Sequence, residues 1–376
     1  MTETDPMVVH CHLRWDGVWQ RPQQILSRMA ARRRILFIEE PFPHLQPGET
    51  PRVDVREQDG ITIVQPWVPH QEEHLPQVSA TNQQLIRDLV APIIRDRGFG
   101  GGIRWHYAPM AIYLADLSDS HTVVYDCMDE LSAFRGAPPA LVECERQLMG
   151  QADVMFTGGL SMWLNKRQHH GNCHRFDSGV DVSHFQQATQ EETEIPEDVR
   201  NLPHPVIGYY GVIDERMDYD AIRALSEAFP EGSIVLVGPV TKVDPAELPK
   251  ADNIHYVGQR TYAQLPGYLK SFDVALVPFA DNEATRFLSP TKTLEYFAGL
   301  KPVVSSPVKD VVENYADIVR IARTPQEYVQ AVRAALAEDN SDRARRGLEK
   351  AQEKTWDAIV SQMEEHLEEA VRRTRA

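Results

Sequence analysis

Short apolar runs alternate with amphipathic stretches along most of the chain. This alternation is typical of βαβ units, in which helices connect parallel strands. In the first half, the runs that predict strands are Met7–His12, Ile35–Glu39, Ile61–Gln65, Ile103–Tyr107, Val123–Asp126 and Val154–Thr157. The helical patterns between them lie near Pro22–Arg33, Asn82–Arg97, Pro109–Leu117 and Pro139–Gly150. The first half is therefore predicted to be an α/β domain with a mostly parallel sheet.

The second half repeats this organisation. Its predicted strands are Val206–Tyr210, Ile234–Val237, Ile254–Val257, Val274–Val277, Val303–Ser305 and Ile318–Ile321. Its predicted helices lie near Tyr219–Phe229, Tyr262–Lys270, Thr291–Ala298 and Pro325–Ala337. The two series predict two Rossmann-like domains, at residues 1–185 and 206–350, with a polar, proline-containing linker at residues 186–205.

A long helical pattern occupies Ser341–Arg375. Its apolar residues recur every three or four positions and form one stripe: Trp356, Ile359, Met363, Leu367 and Val371. We expect residues 351–376 to form a C-terminal helix that packs back on the first domain. A helix that binds a partner or a membrane is the alternative.

Composition narrows the class of protein. The 376 residues include 39 Lys and Arg against 55 Asp and Glu, a formal charge of −16, which argues against a dedicated nucleic-acid binder. The four cysteines form no CxxC pair, so a zinc site has little support and a reducing compartment is favoured. Neither a signal peptide nor an apolar run of transmembrane length is recognisable, and we expect a cytoplasmic protein.

The segment after the strand Val274–Val277 is the clearest candidate for ligand binding. Ser289 suits a helix N-cap and Pro290 suits the first helical turn. Free amides at a helix start bind anions, and Lys292 adds a positive charge to the same turn. The carboxylate of Glu295 could accept hydrogen bonds from a ribose diol. The same residues would also suit an ordinary solvated helix start.

A second candidate segment follows the strand Val206–Tyr210. Gly211 would allow a ligand to approach the backbone at the edge of the sheet where α/β folds bind their ligands. Arg216 could hold a diphosphate with its planar guanidinium group. The glycine spacing does not match the dinucleotide-binding fingerprint, so a plain strand–helix turn is the alternative.

Two segments of the first domain carry further candidates. Trp15 and Trp19 flank Asp16 after the first strand, and these rings either stack on a sugar or fill the core. In the acidic segment Tyr125–Glu130, Asp129 could act as a base or cap a helix. Histidines and acids do not occur at spacings that support a metal site, and we expect none.

Taken together, these segments resemble the GT-B-fold glycosyltransferases, the group that includes the family-four sugar transferases. The resemblance spans nearly the whole chain and is strongest in the second half. The matching segments, in the order of the family, are Ser178–Asp181, Val206–Gly211, Asn253–Gly258, Phe272–Pro278 and Ser289–Val304. Trp19–Gln24 and Tyr125–Glu130 look like a bacterial subgroup associated with surface polysaccharides.

The resemblance implies two Rossmann-like domains facing across a cleft. It implies a nucleoside-diphosphate sugar as co-substrate in the second domain, a saccharide or lipid-linked acceptor in the first, and neither cofactor nor metal. In the donor site, Glu295 matches the acid that holds the ribose, Arg216 a diphosphate contact, and Lys292 the phosphate end of the helix. The remaining matches are Ser289, Pro290 and Thr291 at that helix start, Gly211 in the glycine turn, Gly258 and Arg260 at the nucleobase loop, and Gly17 in a flexible loop.

One departure concerns the sugar. Many members of the family carry a further glutamate at the position of Phe287, and it usually contacts the sugar of the donor. The sugar and the stereochemistry of transfer therefore stay open. An inverting enzyme would need a base for the acceptor hydroxyl, and Asp16 or Asp129 is the candidate.

Two rival functions share much of this pattern. A nucleotide-sugar 2-epimerase would use the same fold, and a non-catalytic module that binds nucleotide sugars would explain the missing glutamate. Peripheral contact with the inner membrane face is a separate question. The arginines at the end of the first helix, Arg28, Arg32, Arg33 and Arg34, could contact acidic lipid or simply complement the helix dipole.

Overall fold

A computed structural model of the chain describes residues 4–46, 48–69, 79–134 and 136–376. The chain divides into two compact units. The N-terminal unit comprises Met1–Gly158, Met162–Phe176 and Asp357–Ala376, and the C-terminal unit comprises Gly159–Ser161 and Asp177–Trp356. The main division thus lies before residue 185, because Phe185 is already buried in the core of the C-terminal unit. Residues 186–205 also belong to that unit.

The described strands of the N-terminal unit form one sheet. They are β1 Met7–Cys11, β2 Ile35–Glu39, β3 Phe42–Leu45, β4 Arg52–Gln58, β5 Ile61–Pro69, β6 Gly101–His106, β7 Asp119–Cys127, β8 Val154–Thr157 and β9 Cys173–Arg175. Their order is β3-β5-β2-β1-β6-β7-β8-β9, with β4 paired to β5. Only this β4–β5 pairing is antiparallel among the pairs described. All six predicted strands are present, whereas the short or polar β3, β4 and β9 were not predicted.

Helices cover the sheet of the N-terminal unit. They are α1 Arg21–Met29, α2 Ala80–Asp96, α3 Ala140–Gln151 and α4 Leu160–Lys166, which belongs to this unit from Met162 onward. The helix predicted at Pro109–Leu117 is a 3-10 helix. Its three-residue period places side chains three positions apart in one row, such as Ala111 with Leu114. Both of these residues line a cavity beneath the segment.

The C-terminal unit contains a fully parallel sheet. Its described strands are β10 Val206–Tyr210, β11 Ser233–Val237, β12 Ile254–Gly258, β13 Val274–Val277, β14 Val303–Ser305 and β15 Arg320–Ile321, in the order β12-β11-β10-β13-β14-β15. Its helices are α5 Val182–Gln186, α6 Glu197–Arg200, α7 Tyr219–Ala228, α8 Leu265–Ser271, α9 Lys292–Ala298, α10 Lys309–Tyr315, α11 Pro325–Ala337 and α12 Ser341–Glu353. The predicted strands and helices are all present, whereas α5, α6 and α10 were not predicted and α6 lies within the predicted linker at residues 186–205. Both predicted Rossmann-like sheets are confirmed.

The long helical pattern at the end of the sequence is interrupted. Helix α12 ends at Glu353, and α13 Trp356–Arg375 begins after Thr355, which forms a β-bridge with Val180. The N–H of Val180 also donates to the carbonyl of Lys354, and this hydrogen bond lies at the break between the two helices.

Helix α13 packs on the N-terminal unit from Asp357 onward, as predicted. Every residue of its predicted apolar stripe is buried. Three arginines of α1 and the following turn pair with acids of α13: Arg28 with Asp357 at 2.6 Å, Arg32 with Glu364 at 2.8 Å and Arg33 with Glu368 at 3.0 Å. Three of the four arginines considered for lipid contact thus pair with this helix, whereas Arg34 donates to the carbonyl of Arg97. Among the described residues, no helix is both long and apolar enough to cross a membrane.

Candidate active site

The strand order of the C-terminal unit points to the carboxyl ends of its central strands. From β10 the chain runs to β11 and β12 on one side, and it later returns to β13 on the other side. Open α/β sheets bind ligands at such a reversal of strand order, beyond the carboxyl ends of the strands. Gly211 directly follows β10 and therefore lies at this point.

Three glycines meet at this edge. Gly211, Gly238 and Gly258 have φ values of +141°, +150° and +80°, which favour glycine. The N–H of Gly211 donates to Val237 at 2.8 Å, and that of Gly238 donates to Gly258 at 2.9 Å. A Cβ on Gly238 would collide with the carbonyl group of Gly211. Backbone thus approaches backbone closely at the carboxyl ends of these strands.

Gly238 was missed by the sequence reasoning. It directly follows β11 and precedes Pro239, so a glycine–proline pair at the end of a strand was the signal available.

Lys292 lies against the turn at Gly211. A Cβ on Gly211 would collide with Cε of Lys292, so any larger residue would force this side chain to shift. The Nζ atom of Lys292 is 5.8 Å from the ring centroid of Tyr209, within reach of a cation–π interaction. Helix α9 thus brings a cation to the edge formed by the glycines.

Glu295 shares this environment one helical turn later. Burial raises the pKa of its carboxyl group from 4.5 to about 7, although the charge of Lys292 and the hydroxyl of Tyr210 lower it. The neighbouring aromatic packing is tight: the ring centroids of Tyr210 and Tyr296 are 4.9 Å apart. Lys292 and Glu295, which the sequence predicted as a pair, are therefore brought together.

The start of α9 differs from the prediction. The helix begins at Lys292 with Thr291 as its N-cap residue, and no side chain caps it. Ser289 and Pro290 precede the helix, and the carbonyl of Pro290 accepts a hydrogen bond from the N–H of Thr293 at 3.3 Å. The predicted N-cap at Ser289 is therefore wrong, because the first turn closes on the carbonyl groups of Pro290 and Thr291.

Arg216 is engaged by a neighbouring acid. Its Nε and Nη2 atoms donate to the carboxylate of Asp214 at 2.9 and 2.7 Å, and Asp214 is buried. This ion pair fixes the guanidinium group in the loop after β10. A diphosphate contact by Arg216 stays a prediction, and it would have to be shared with Asp214.

Arg260 is also held by protein groups. Its Nη2 atom pairs with Asp198 at 2.8 Å and its Nε atom donates to the hydroxyl of Tyr268 at 2.7 Å. These contacts join α6 to α8, so Arg260 stabilises the packing of these helices. A contact between Arg260 and a nucleobase stays a prediction. Gly258 ends β12 next to it and belongs to the glycine cluster.

The predicted residues of the loop after β1 have different surroundings. Trp15 is 1% exposed and packs on Phe37, so it fills the core. The Asp16 side chain is 59% exposed and pairs with Arg56 at 2.8 Å. The N–H of Gly17 donates to the carbonyl of Arg14 at 3.1 Å and closes a turn.

The acids at the end of β7 and directly after it have different partners. Asp126 is fully buried in an ion pair with Arg21 at 3.0 Å, and Glu130 pairs with Lys166 at 2.8 Å. The side chain of Asp129 has neither a hydrogen bond nor an ion pair with any described residue. Asp129 is therefore the acid of this segment that remains available for a role as base.

Comparison with known proteins gives the architecture its context. Residues 204–338 match the family described as "Glycosyl transferases group 1". A Bacillus subtilis protein, the "Putative teichuronic acid biosynthesis glycosyltransferase TuaH", is 22% identical over 69% of this chain and 70% of its own length. Residues 204–338, which the family matches, contain Gly211, Gly238, Gly258, Lys292 and Glu295.

Solved structures show the same fold over almost the whole chain. Sucrose-phosphate synthase from Thermosynechococcus elongatus has a TM-score of 0.72 at 14% identity, covering 98% of this chain and 100% of its own. A trehalose-6-phosphate structure from E. coli bound with UDP-2-fluoro glucose has a TM-score of 0.66 at 13% identity, covering 96% and 99%. These similarities confirm the GT-B fold that the sequence predicted.

Proposed function

We propose that this chain, a GT-B-fold glycosyltransferase that resembles the family-four group, transfers a sugar from a nucleoside diphosphate to a saccharide or lipid-linked acceptor without a metal ion. The C-terminal unit would bind the donor and the N-terminal unit the acceptor. The observation that carries this proposal is the position of Lys292 over the glycine turn at Gly211, with Glu295 one turn later in α9.

The proposed donor site has separate groups for the diphosphate and for the ribose of a nucleoside diphosphate. Lys292 and the backbone at Gly211 would meet the diphosphate, whose negative charge increases as the sugar leaves. Glu295 would accept hydrogen bonds from the ribose hydroxyls in its ionised form. Arg216 would add a second cation if its pairing with Asp214 is shared with the ligand. Positive charge from these side chains would do the work that a metal ion does in other transferases.

The similarity to the Bacillus subtilis protein supports a role in the synthesis of a surface polysaccharide. The ligand of the E. coli structure supports a uridine donor, and UDP-sugars are the first donors to try. For an inverting reaction, Asp129 is favoured over Asp16 as the base, because Asp16 is paired with Arg56.

The test is a donor-turnover assay on the full chain with a panel of nucleotide sugars and a membrane extract as acceptor source. We expect release of nucleoside diphosphate that survives EDTA and that Lys292→Ala and Glu295→Ala each reduce strongly. Product analysis with donor alone separates the rival activity, because an epimerised nucleotide sugar would indicate a 2-epimerase. Loss of turnover in EDTA, restored by Mg²⁺ or Mn²⁺, would overturn the metal-independent mechanism.

A further inference from the structure

An open pocket of about 390 Å³ lies in the N-terminal unit at the amino ends of β2 and β5. Arg34 and Ile35 line it where β2 begins, and Thr62 lines it where β5 begins. Open α/β sheets bind their substrates at the opposite edge, beyond the carboxyl ends of the strands. This pocket is therefore separate from the edge of the sheet where a substrate of the transfer reaction is expected.

Arg34 is fixed at this pocket without an acid beside it. Its Nη2 atom donates to the carbonyl of Arg97, and its guanidinium carbon is 4.6 Å from the ring centroid of Phe99, which is 3% exposed. In the part of the chain that the structure describes, the Arg34 side chain has no ion pair and no second hydrogen bond. A guanidinium group carries five N–H donors in one plane, so most of them are available to a ligand. The stacking on Phe99 orients this plane in advance, which reduces the entropy lost when a ligand binds.

Arg97 brings a second positive charge to the same pocket. Its Nη1 atom pairs with Oε1 of Glu57 at 2.7 Å, and the hydroxyl of Thr62 donates to the same oxygen at 2.9 Å. Among the described residues that line the pocket, Glu57 is the one acid against two arginines. The pocket therefore carries an excess of one positive charge in a chain whose formal charge is −16.

These groups fit a phosphate better than other ligands. The planar donors of arginine match the oxygens of a phosphate group, and the resulting hydrogen bonds are strengthened by charge. The volume of the pocket leaves room for a small organic group attached to the phosphate. None of the large apolar side chains that are exposed on the described part of the chain lines this pocket. A soluble ligand is therefore favoured over a lipid, because binding to a membrane surface generally includes the insertion of apolar side chains.

We propose that this pocket is a second ligand site, which binds the phosphate group of a soluble small molecule. Phosphate oxygens would accept hydrogen bonds from the available N–H groups of Arg34, with Arg97 as the second cation. The proposal is independent of the proposed function, because none of these residues belongs to the donor site.

The experiment is calorimetric titration of the full chain with inorganic phosphate and with glycerol 3-phosphate at constant ionic strength. Arg34→Gln removes the cation that lacks an acid, and Glu57→Gln removes the acid of the pocket. Arg95→Gln is the matched control, because Arg95 is exposed, pairs with Asp96 at 2.8 Å and changes the net charge by the same amount. Lys292→Ala reports whether the phosphate binds at the donor site instead. Sedimentation with vesicles of phosphatidylglycerol, compared with phosphatidylcholine, tests a lipid headgroup as the source of the phosphate.

We expect both soluble probes to bind, with affinity weakened about tenfold by Arg34→Gln and unchanged by Arg95→Gln. Glu57→Gln should strengthen binding, an effect that a folding defect would not produce. Equal weakening by Arg34→Gln and Arg95→Gln, weakening by Lys292→Ala alone, or no binding of either probe would overturn the proposal. Vesicle binding that requires Arg34 but not Arg95, without binding of the soluble probes, would assign the pocket to a lipid headgroup and contradict a soluble ligand.

Discussion

Glu295 combines burial with a nearby cation. Its raised pKa means that the folded protein holds a proton that the unfolded chain releases near pH 4.5. A group of this kind destabilises the folded state as the pH rises through its folded-state pKa. Carboxyl groups with shifted pKa values cluster at functional sites, which agrees with the ribose contact proposed for Glu295.

The first prediction follows from that pKa. Glu295→Gln keeps the shape of the side chain and removes the titration, so the variant should gain stability relative to the wild type as the pH rises from 5 to 8. Thermal unfolding of both proteins across this range, without ligand, measures the effect. Glu365→Gln on the exposed face of α13 is the control and should show no such trend. A constant difference between wild type and Glu295→Gln would contradict the raised pKa.

The second prediction concerns Gly211. Gly211→Ala places a Cβ at a φ of +141° and against the side chain of Lys292. The substitution should lower the free energy of unfolding by about 1–3 kcal/mol and weaken UDP binding, because Lys292 must move. Urea unfolding and calorimetry check the two parts. Gly171→Ala, with open space at its Cβ, is the control, and equal behaviour of the two variants would refute the close approach.

Single residues show where sequence reasoning succeeds and where it stops. Lys292 and Glu295 could be paired from the sequence because one helical turn joins them. Asp198 could not be identified from the sequence as the partner of Arg260. It lies 62 positions away and reaches Arg260 only because α6 packs against α8. Asp214 lies two residues from Arg216, so an ion pair between them could be suspected from the sequence. The burial of Asp214 could not be predicted in the same way.

At the scale of elements, periodicity identified the buried strands and the amphipathic helices. The strands β3, β4 and β9 are short or carry polar sequences, so their pairing with the sheet is a tertiary effect. The break between α12 and α13 has the same origin. Apolar spacing continues through it, and the bridge between Val180 and Thr355 interrupts the helix.

The third prediction tests the packing of α13. Leu367 is fully buried on the N-terminal unit, so Leu367→Ala should lower the free energy of unfolding by about 2–5 kcal/mol. Chemical denaturation measures the change, and Glu365→Ala on the exposed face of the helix is the control. A loss of stability no larger than in that control would show that α13 is not docked in solution.

Across the whole molecule, a formal charge of −16 accompanies a site that is proposed to hold a diphosphate. The position of one lysine near the strand ends matters more for this than the net charge, because nearby charges act strongly where water is largely excluded. The fold class and the two Rossmann-like sheets were predictable, since alternating strands and helices occur throughout the chain. The close approach of Gly211, Gly238 and Lys292 was not predictable, because these residues are distant in sequence and only packing brings them together.

Calorimetric titration of the protein with UDP, GDP, ADP and dTDP tests the donor site most directly. We predict that at least one of them binds, and that Lys292→Ala weakens this binding about tenfold to a hundredfold while the exposed control Lys309→Ala leaves it unchanged. Absence of binding by all four nucleotides, or equal affinity in the two lysine variants, would contradict the assignment of the C-terminal unit as the nucleotide-sugar site.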